Sequence, residues 1–351
     1  MMAEELSIGR LAETKPPLED QSRRLWDLVA GFETGQIFLT AFELGIFNLL
    51  KEAKTAEKIA GELKTHPKAT EKLLDVLVSI GALDRKGSLY LTAPNMSPFL
   101  VEGEPYFARY LKFSLESREK LLNLKAALKE GPAAEGEKHE HQYDRESIDW
   151  IARGTMLGRL QTTLKLVREI PEFKSARKLI DLGGGHGLFG IGFAQENPHL
   201  EVVIFDQPGV AEIASDYIER YGVGERVKAM SGDYTKDDIG SGYDIAFEAC
   251  SFGGNADQAR SFYENVARSL NDGGLFISQT FTINDDRRSP LRNLVWDLKE
   301  EISKDGHMHL KTNSEIFRTL REAGLVEEKV IDMSSDLSMP MRLVVARKGA
   351  E

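Results

Sequence analysis

The run Lys178-Leu179-Ile180-Asp181-Leu182 passes directly into Gly183-Gly184-Gly185-His186-Gly187. Glycines allow φ > 0 and a close approach of backbone to ligand. A strand, a turn and an opening helix are the setting a nucleotide-type site requires. The alternation then repeats. Strands are expected over 201–205, 227–230, 243–249 and 274–280, with helices over 210–221 and 256–270 between them. Leu343-Val344-Val345-Ala346 reads as a closing edge strand. Strands alternating with helices predict an α/β domain, a mostly parallel doubly wound sheet covered on both faces.

Upstream the pattern is helical. A helix is expected from about Glu19 through Leu25, Trp26, Val29 and Phe32. The run over 37–47 is apolar on nearly every face, which suits either an intrachain core or a subunit interface. Thr55 should cap a helix over 56–63. His66-Pro67 breaks the chain before a second helix over 69–80, which Gly81 stops, and a hairpin over 83–91 follows. Helix, turn, helix, hairpin is a winged-helix pattern. The second helix mixes Lys68, Glu71, Lys72 and Asp75 on its open face, which makes no phosphate-binding surface. Helices are expected again over 104–130 and 147–170. The boundaries expected are 1–103, 104–170 and 171–351.

Net charge is -11 over 351 residues, which argues against nucleic acid as partner, since phosphate neutralisation needs clustered Lys and Arg. One cysteine, Cys250, builds neither a disulfide framework nor a zinc cluster. No stretch has the roughly 18 consecutive apolar residues of a membrane-spanning helix, and residues 1–10 lack the apolar core of a secretory signal. A cytoplasmic protein without membrane insertion is expected.

Two acids follow the glycine loop. Asp206 ends the second strand, where a carboxylate can accept from both ribose hydroxyls; before Pro208 it also suits a turn or helix cap. Gly232-Asp233-Tyr234 follows the third strand, where the acid can take an adenine amino proton and the ring can cover the base. Alone, each suits a turn. Together they occupy the carboxyl ends of successive strands, the edge at which open α/β sheets bind ligands.

The order and spacing of these segments resemble the plant-type and bacterial small-molecule O-methyltransferase family, with its caffeate-type, hydroxyindole and antibiotic-tailoring members. That family carries D-x-G-G-G-x-G, D-L-P-x-V and G-D-F-F segments; here Asp181–Gly187, Asp206-Gln207-Pro208-Gly209-Val210 and Gly232-Asp233-Tyr234 stand in their places. The resemblance spans nearly the whole chain. It implies a Rossmann-like class I S-adenosylmethionine (SAM) domain behind an N-terminal winged-helix dimerisation domain, and a homodimer. It implies SAM held by Asp181, Gly183, Gly184, Gly185, Asp206, Gln207, Asp233 and Tyr234, with a small-molecule acceptor.

The sequence departs from the family at its base. An H-D-W motif supplies the histidine that deprotonates the acceptor; here Phe252, Gly253 and Gly254 fall there. Leu310 falls where the family's G-G-K-E-R-T stretch places the glutamate that orients that histidine. His307 and His309, two apart and nearby, are either loop residues or a replacement base. No carboxylate or thiol completes a metal spacing with them, so no metal is expected. His139 and His141 suit a solvated loop, and His186 suits a spacer in the glycine loop. Met156, Phe252, Trp296 and the Phe113 region suit an apolar acceptor pocket or plain core; Asn255 suits an acceptor contact or a cap for the following helix. The function expected is direct in-line methyl transfer to a carbon, sulfur, nitrogen or acidic oxygen. The alternatives are other chemistry on a SAM-binding fold, such as decarboxylation, hydroxylation or rearrangement, and a non-catalytic regulatory SAM-binding protein.

Overall fold

The computed structural model describes residues 18–131, 143–252, 256–302 and 310–349. The chain divides into two compact units, Met1–Leu115 and Glu116–Glu351.

The first unit contains α1 (Ser22–Glu43), α2 (Ile46–Leu49), β1 (Lys54–Thr55), α3 (Ala56–Leu63), α4 (Pro67–Ser79), β2 (Leu83–Lys86), β3 (Leu89–Thr92) and α5 (Ser97–Leu100). Local chemistry sets these boundaries. The Thr55 hydroxyl accepts from the Lys58 N–H at the start of α3, and His66 Nδ1 accepts from the Ala69 N–H with Pro67 opening α4. Gly81 leaves α4 at φ 74°. β2 and β3 form the expected hairpin, and β1 adds to it in the order β1-β3-β2. Ala41, Ile46 and Phe47 join Leu50, Ile59 and Leu74 in one core, so the buried part of the 37–47 run serves its own unit. The large apolar side chains left exposed stand earlier on α1, at Leu25, Trp26, Leu28, Val29 and Phe32.

α6 (Tyr110–Leu122) crosses the unit boundary, and α7 (Leu124–Glu130) follows. The helix expected over 104–130 therefore starts late and breaks at Asn123. The helix expected over 147–170 is also two, α8 (Arg145–Thr155) and α9 (Arg159–Arg168), separated at Gly158, whose φ of 111° no helix can hold.

α10 (Pro171–Ser175), β4 (Lys178–Leu182), α11 (Leu188–Glu196), β5 (Glu201–Asp206), α12 (Pro208–Arg220), β6 (Val227–Ser231), β7 (Tyr243–Ala249), α13 (Ala256–Ser269), β8 (Leu270–Thr280), α14 (Leu291–Glu301), α15 (Asn313–Glu322), β9 (Leu325–Asp332) and β10 (Arg342–Lys348) complete the chain. The sheet has seven strands in the order β6-β5-β4-β7-β8-β10-β9. β4 to β8 are parallel; β10 is antiparallel to both of its neighbours.

Strand residues alternate between two cores, as a period of two requires. Leu179, Ile245, Phe247, Ile277, Leu343 and Val345 face one core with α9 and α11. Ile180, Leu182, Ala246, Phe276, Val344 and Ala346 face the other with α13 and α15. Burial on both faces explains the apolar run Leu343–Ala346 of β10 and the apolar residues on either side of Asp181 in β4.

A strand expectation is corrected as well. Leu343–Ala346 do not form an edge: β10 lies between β8 and β9, and β9 is the edge strand on that side, with β6 at the other. This edge strand carries Glu327, Glu328 and Lys329, and the two glutamates pair with Arg321 and Arg347. No described helix is long and apolar enough to cross a membrane.

Candidate active site

The sheet reverses direction of winding between β4 and β7, and beyond the carboxyl ends of β4 to β7 lies a cavity of about 800 Å³. This switch point is where open α/β sheets hold ligands.

The glycine loop forms the cavity floor, and each glycine has its own reason. Gly183 has φ 61°, and its N–H donates to the Phe205 carbonyl at 2.8 Å. A Cβ there would meet the Ser251 Cβ at 2.3 Å; at Gly184 it would meet the Ile204 Cγ2 at 2.6 Å. At Gly185, φ 57°, a Cβ would meet no protein atom within 4 Å. Because Gly185 lines the cavity, that side chain would occupy ligand space. Asp181 is fully enclosed, and its carboxylate accepts from the Gly190 N–H in the first turn of α11 at 3.0 Å. Burial pushes this carboxyl up to about 7 against that hydrogen bond.

Asp206 and Gln207 line the neighbouring wall. The Asp206 carboxylate accepts from the Gly185 N–H at 2.8 Å and from the Gln207 N–H at 2.7 Å, which fixes its orientation. Burial raises its pKa. At β6, Asp233 accepts from the Thr235 N–H and hydroxyl and pairs with Lys236 at 2.9 Å. Burial pushes its carboxyl up, but these bonds outweigh it and hold the group below its ordinary value. The Tyr234 ring packs edge-on against Phe262 and its hydroxyl donates to the Ser251 carbonyl at 2.8 Å. The glycine loop, the turn after β6 and the turn after β7 thus lock onto one another.

The turn after β7 is itself constrained. Cys250 has φ 57°, rare outside glycine. Buried Glu248 accepts from the Ser251 N–H and hydroxyl and from the Ser278 hydroxyl. Phe252 lines the cavity and stacks on Phe262 at 4.9 Å, so it is both wall and core.

His186 Nδ1 accepts from the Leu188 N–H at 3.1 Å, which leaves its proton on Nε2, 3.3 Å from the Thr155 hydroxyl. Burial, and after it the Arg159 charge, pull the ring down to about 4. A neutral, buried, doubly engaged imidazole fits the spacer reading.

Met156 ends α8 with 41% of its surface exposed, and Trp296 packs on Phe281 and donates to Glu300. Neither lines the cavity. Phe113 belongs to the other compact unit. Gly253, Gly254, Asn255, His307, His309, His139 and His141 lie outside the described residues. Among the described residues no group of His, Cys, Asp and Glu is placed to hold a metal ion. Arg159 and Ser251, both cavity-lining, were missed from sequence. An arginine in an amphipathic helix reads as solvated, and only the Gly158 break marks it.

The cavity fits an adenosyl group on the chain's own evidence. Gly185 leaves a cradle that any side chain would fill. Asp206 is oriented by two N–H groups, and Tyr234 offers an aromatic wall. SAM would be held by these residues.

Residues 135–326 match the family model of the O-methyltransferase domain, and residues 26–101 match that of the O-methyltransferase dimerisation domain. The chain belongs to the O-methyltransferase family. An uncharacterized protein of Methanocaldococcus jannaschii is 29% identical over 324 residues, covering 89% of this chain and 86% of that one. The N,N-dimethyltransferase OxyT of Streptomyces rimosus is 26% identical over 81% of this chain and 83% of its own. The solved structure of PigF with SAH, a protein of Serratia, superposes with a TM-score of 0.69 at 23% identity, covering 94% of this chain and 100% of that one. That likeness is one of fold.

Proposed function

We propose that this chain is a SAM-dependent methyltransferase acting on a small aromatic or otherwise flat molecule without a histidine base. The observation that carries this reading is one cavity wall on which Gly183, Gly185, Asp206, Asp233 and Tyr234, from three strand ends, meet Phe252 from a fourth. In this reading Asp206 and Gln207 hold the ribose, Asp233 and Tyr234 take the adenine, and the glycine backbone lies under the remainder. When bound, SAM supplies an electrophilic sulfonium methyl group.

The chain's own residues then position the acceptor and exclude water. Phe252 stands where the family motif has its histidine, and a phenyl ring accepts no proton. A general base contributes about 10²–10⁴-fold, whereas orienting the reactants contributes about 7–11 kcal/mol. Positioning is the larger effect, so transfer survives loss of the base when the acceptor ionises easily or reacts as a neutral nucleophile. Thiols, acidic phenols, stabilised carbanions and amines meet that condition. Pairing of the N-terminal units into a homodimer, and a cytoplasmic location, complete the reading.

Methyl-labelled SAM offered with thiophenol, 4-nitrophenol or phenol at pH 7 tests the mechanism. Labelling of the first two, with phenol near background, is expected. Equal turnover of phenol would contradict a base-free site.

A further inference from the structure

Glu248 puts a carboxyl where the sheet interior suits an apolar residue. It follows Phe247 in β7, is 5% exposed, and stands behind the cavity rather than lining it. Ala246, on the same face of the strand, joins an apolar core. Among the described residues no cation pairs with Glu248. Burial pushes its pKa up, and enclosing a carboxyl without a cation works against stability. Packing therefore does not account for an acid at this position.

Its contacts do. Oε1 accepts from the Ser278 hydroxyl; Oε2 accepts from the Ser251 N–H at 3.1 Å and lies 3.2 Å from the Ser251 hydroxyl. Ser251 is where the turns of the cavity meet. Its hydroxyl reaches the Leu182 carbonyl at 2.9 Å, at the start of the glycine loop, and its own carbonyl accepts from the Tyr234 hydroxyl at 2.8 Å. Phe252 follows directly. The chain reaches Ser251 through Cys250, whose φ of 57° is a left-handed conformation that a residue with a Cβ resists. The Cys250 N–H donates to the Gln279 carbonyl at 2.8 Å and secures one side of that turn. Glu248 secures the other.

We infer that Glu248 is a positioning residue of the methyl-transfer site: acting through Ser251, it holds the strained turn at Cys250 and keeps the glycine loop, Tyr234 and Phe252 in their places for ligand. What it positions rests on the SAM reading; that it holds the three turns together does not.

The test uses the full chain as wild type, Glu248→Gln, Glu248→Leu and Glu248→Leu with Cys250→Gly. Backbone amide exchange is followed over 183–187, 232–235 and 250–252, and S-adenosylhomocysteine is titrated into each. Glutamine keeps an acceptor for Ser251, so affinity within about threefold of wild type and unchanged exchange are expected. Leucine has no acceptor. Faster exchange at all three turns and a loss of tenfold or more in affinity are expected. Cys250→Gly removes the left-handed penalty and should recover about fivefold of that loss. Equal losses in the glutamine and leucine variants, or exchange that quickens throughout the sheet, would mark a general part in stability and overturn the inference. An unaltered Glu248→Leu, or no recovery with Cys250→Gly, overturns it too. Should Glu248→Leu fail to fold, Glu248→Leu with Ser278→Ala, which strands one hydroxyl fewer, carries the comparison. If S-adenosylhomocysteine does not bind the wild type, the SAM reading falls, and exchange at the three turns still decides Glu248.

Discussion

Gly183 and Gly185 have nearly the same backbone conformation and opposite surroundings, so the same substitution separates stability from binding. Alanine at Gly183 adds left-handed strain to a 2.3 Å clash with Ser251. Gly183→Ala is expected to cost about 2–4 kcal/mol in urea denaturation. Alanine at Gly185 adds the strain without the clash; about 1–2 kcal/mol is expected, with a loss of S-adenosylhomocysteine affinity beyond what that instability explains. Equal stability losses would contradict the packing described at Ser251. His186 gives a pH signature. Its folded pKa is depressed to about 4, so its contribution is full above the unfolded value of about 6.5. As pH falls the unfolded chain protonates first, and stability drops by up to about 1.4 kcal/mol per unit until the folded value is reached. The stability gap between wild type and His186→Gln should therefore shrink by about 2–3 kcal/mol from pH 7 to pH 4.5. A gap independent of pH would contradict the buried neutral ring.

At the scale of elements, caps and glycines explain which parts were legible in the sequence. The start of α15 carries a full capping box: the Thr312 hydroxyl accepts from the Glu315 N–H, and the Glu315 carboxylate accepts from the Thr312 N–H. Thr312→Ala should lower stability by about 1 kcal/mol, read as a fall in Tm. Thr55 and Pro67 announced α3 and α4 in the same local way. β4, β5, β7 and β8 were legible because buried parallel strands are rich in apolar residues. β9 was not: an edge strand with Glu327, Glu328 and Lys329 carries the composition of a surface loop, and missing it placed β10 at the edge. The 147–170 helix was read through Gly158, since an amphipathic period gives no hint of φ 111°. The cavity followed the same divide. Its glycine and acid motifs sit at strand ends and were legible, whereas Arg159 reaches it from a separate helix and depends on tertiary packing alone.

The whole molecule joins a dimerisation domain to a methyltransferase domain. α1 leaves Trp26 71% and Phe32 61% exposed, more apolar surface on one helix than a solitary unit needs. Replacing Trp26 and Val29 together by glutamate is expected to convert a dimer into a monomer in sedimentation velocity. A double variant that sediments as the wild type would remove α1 from the interface. The cavity beyond β4, β5 and β6 is the proposed SAM site. Titration calorimetry of S-adenosylhomocysteine into the wild type and Asp206→Ala tests it most directly. The structure's account predicts micromolar binding to the wild type and at least a tenfold loss in the variant, with the melting temperature of the variant within a few degrees. Absence of binding to the wild type, or unchanged affinity in Asp206→Ala, would contradict it.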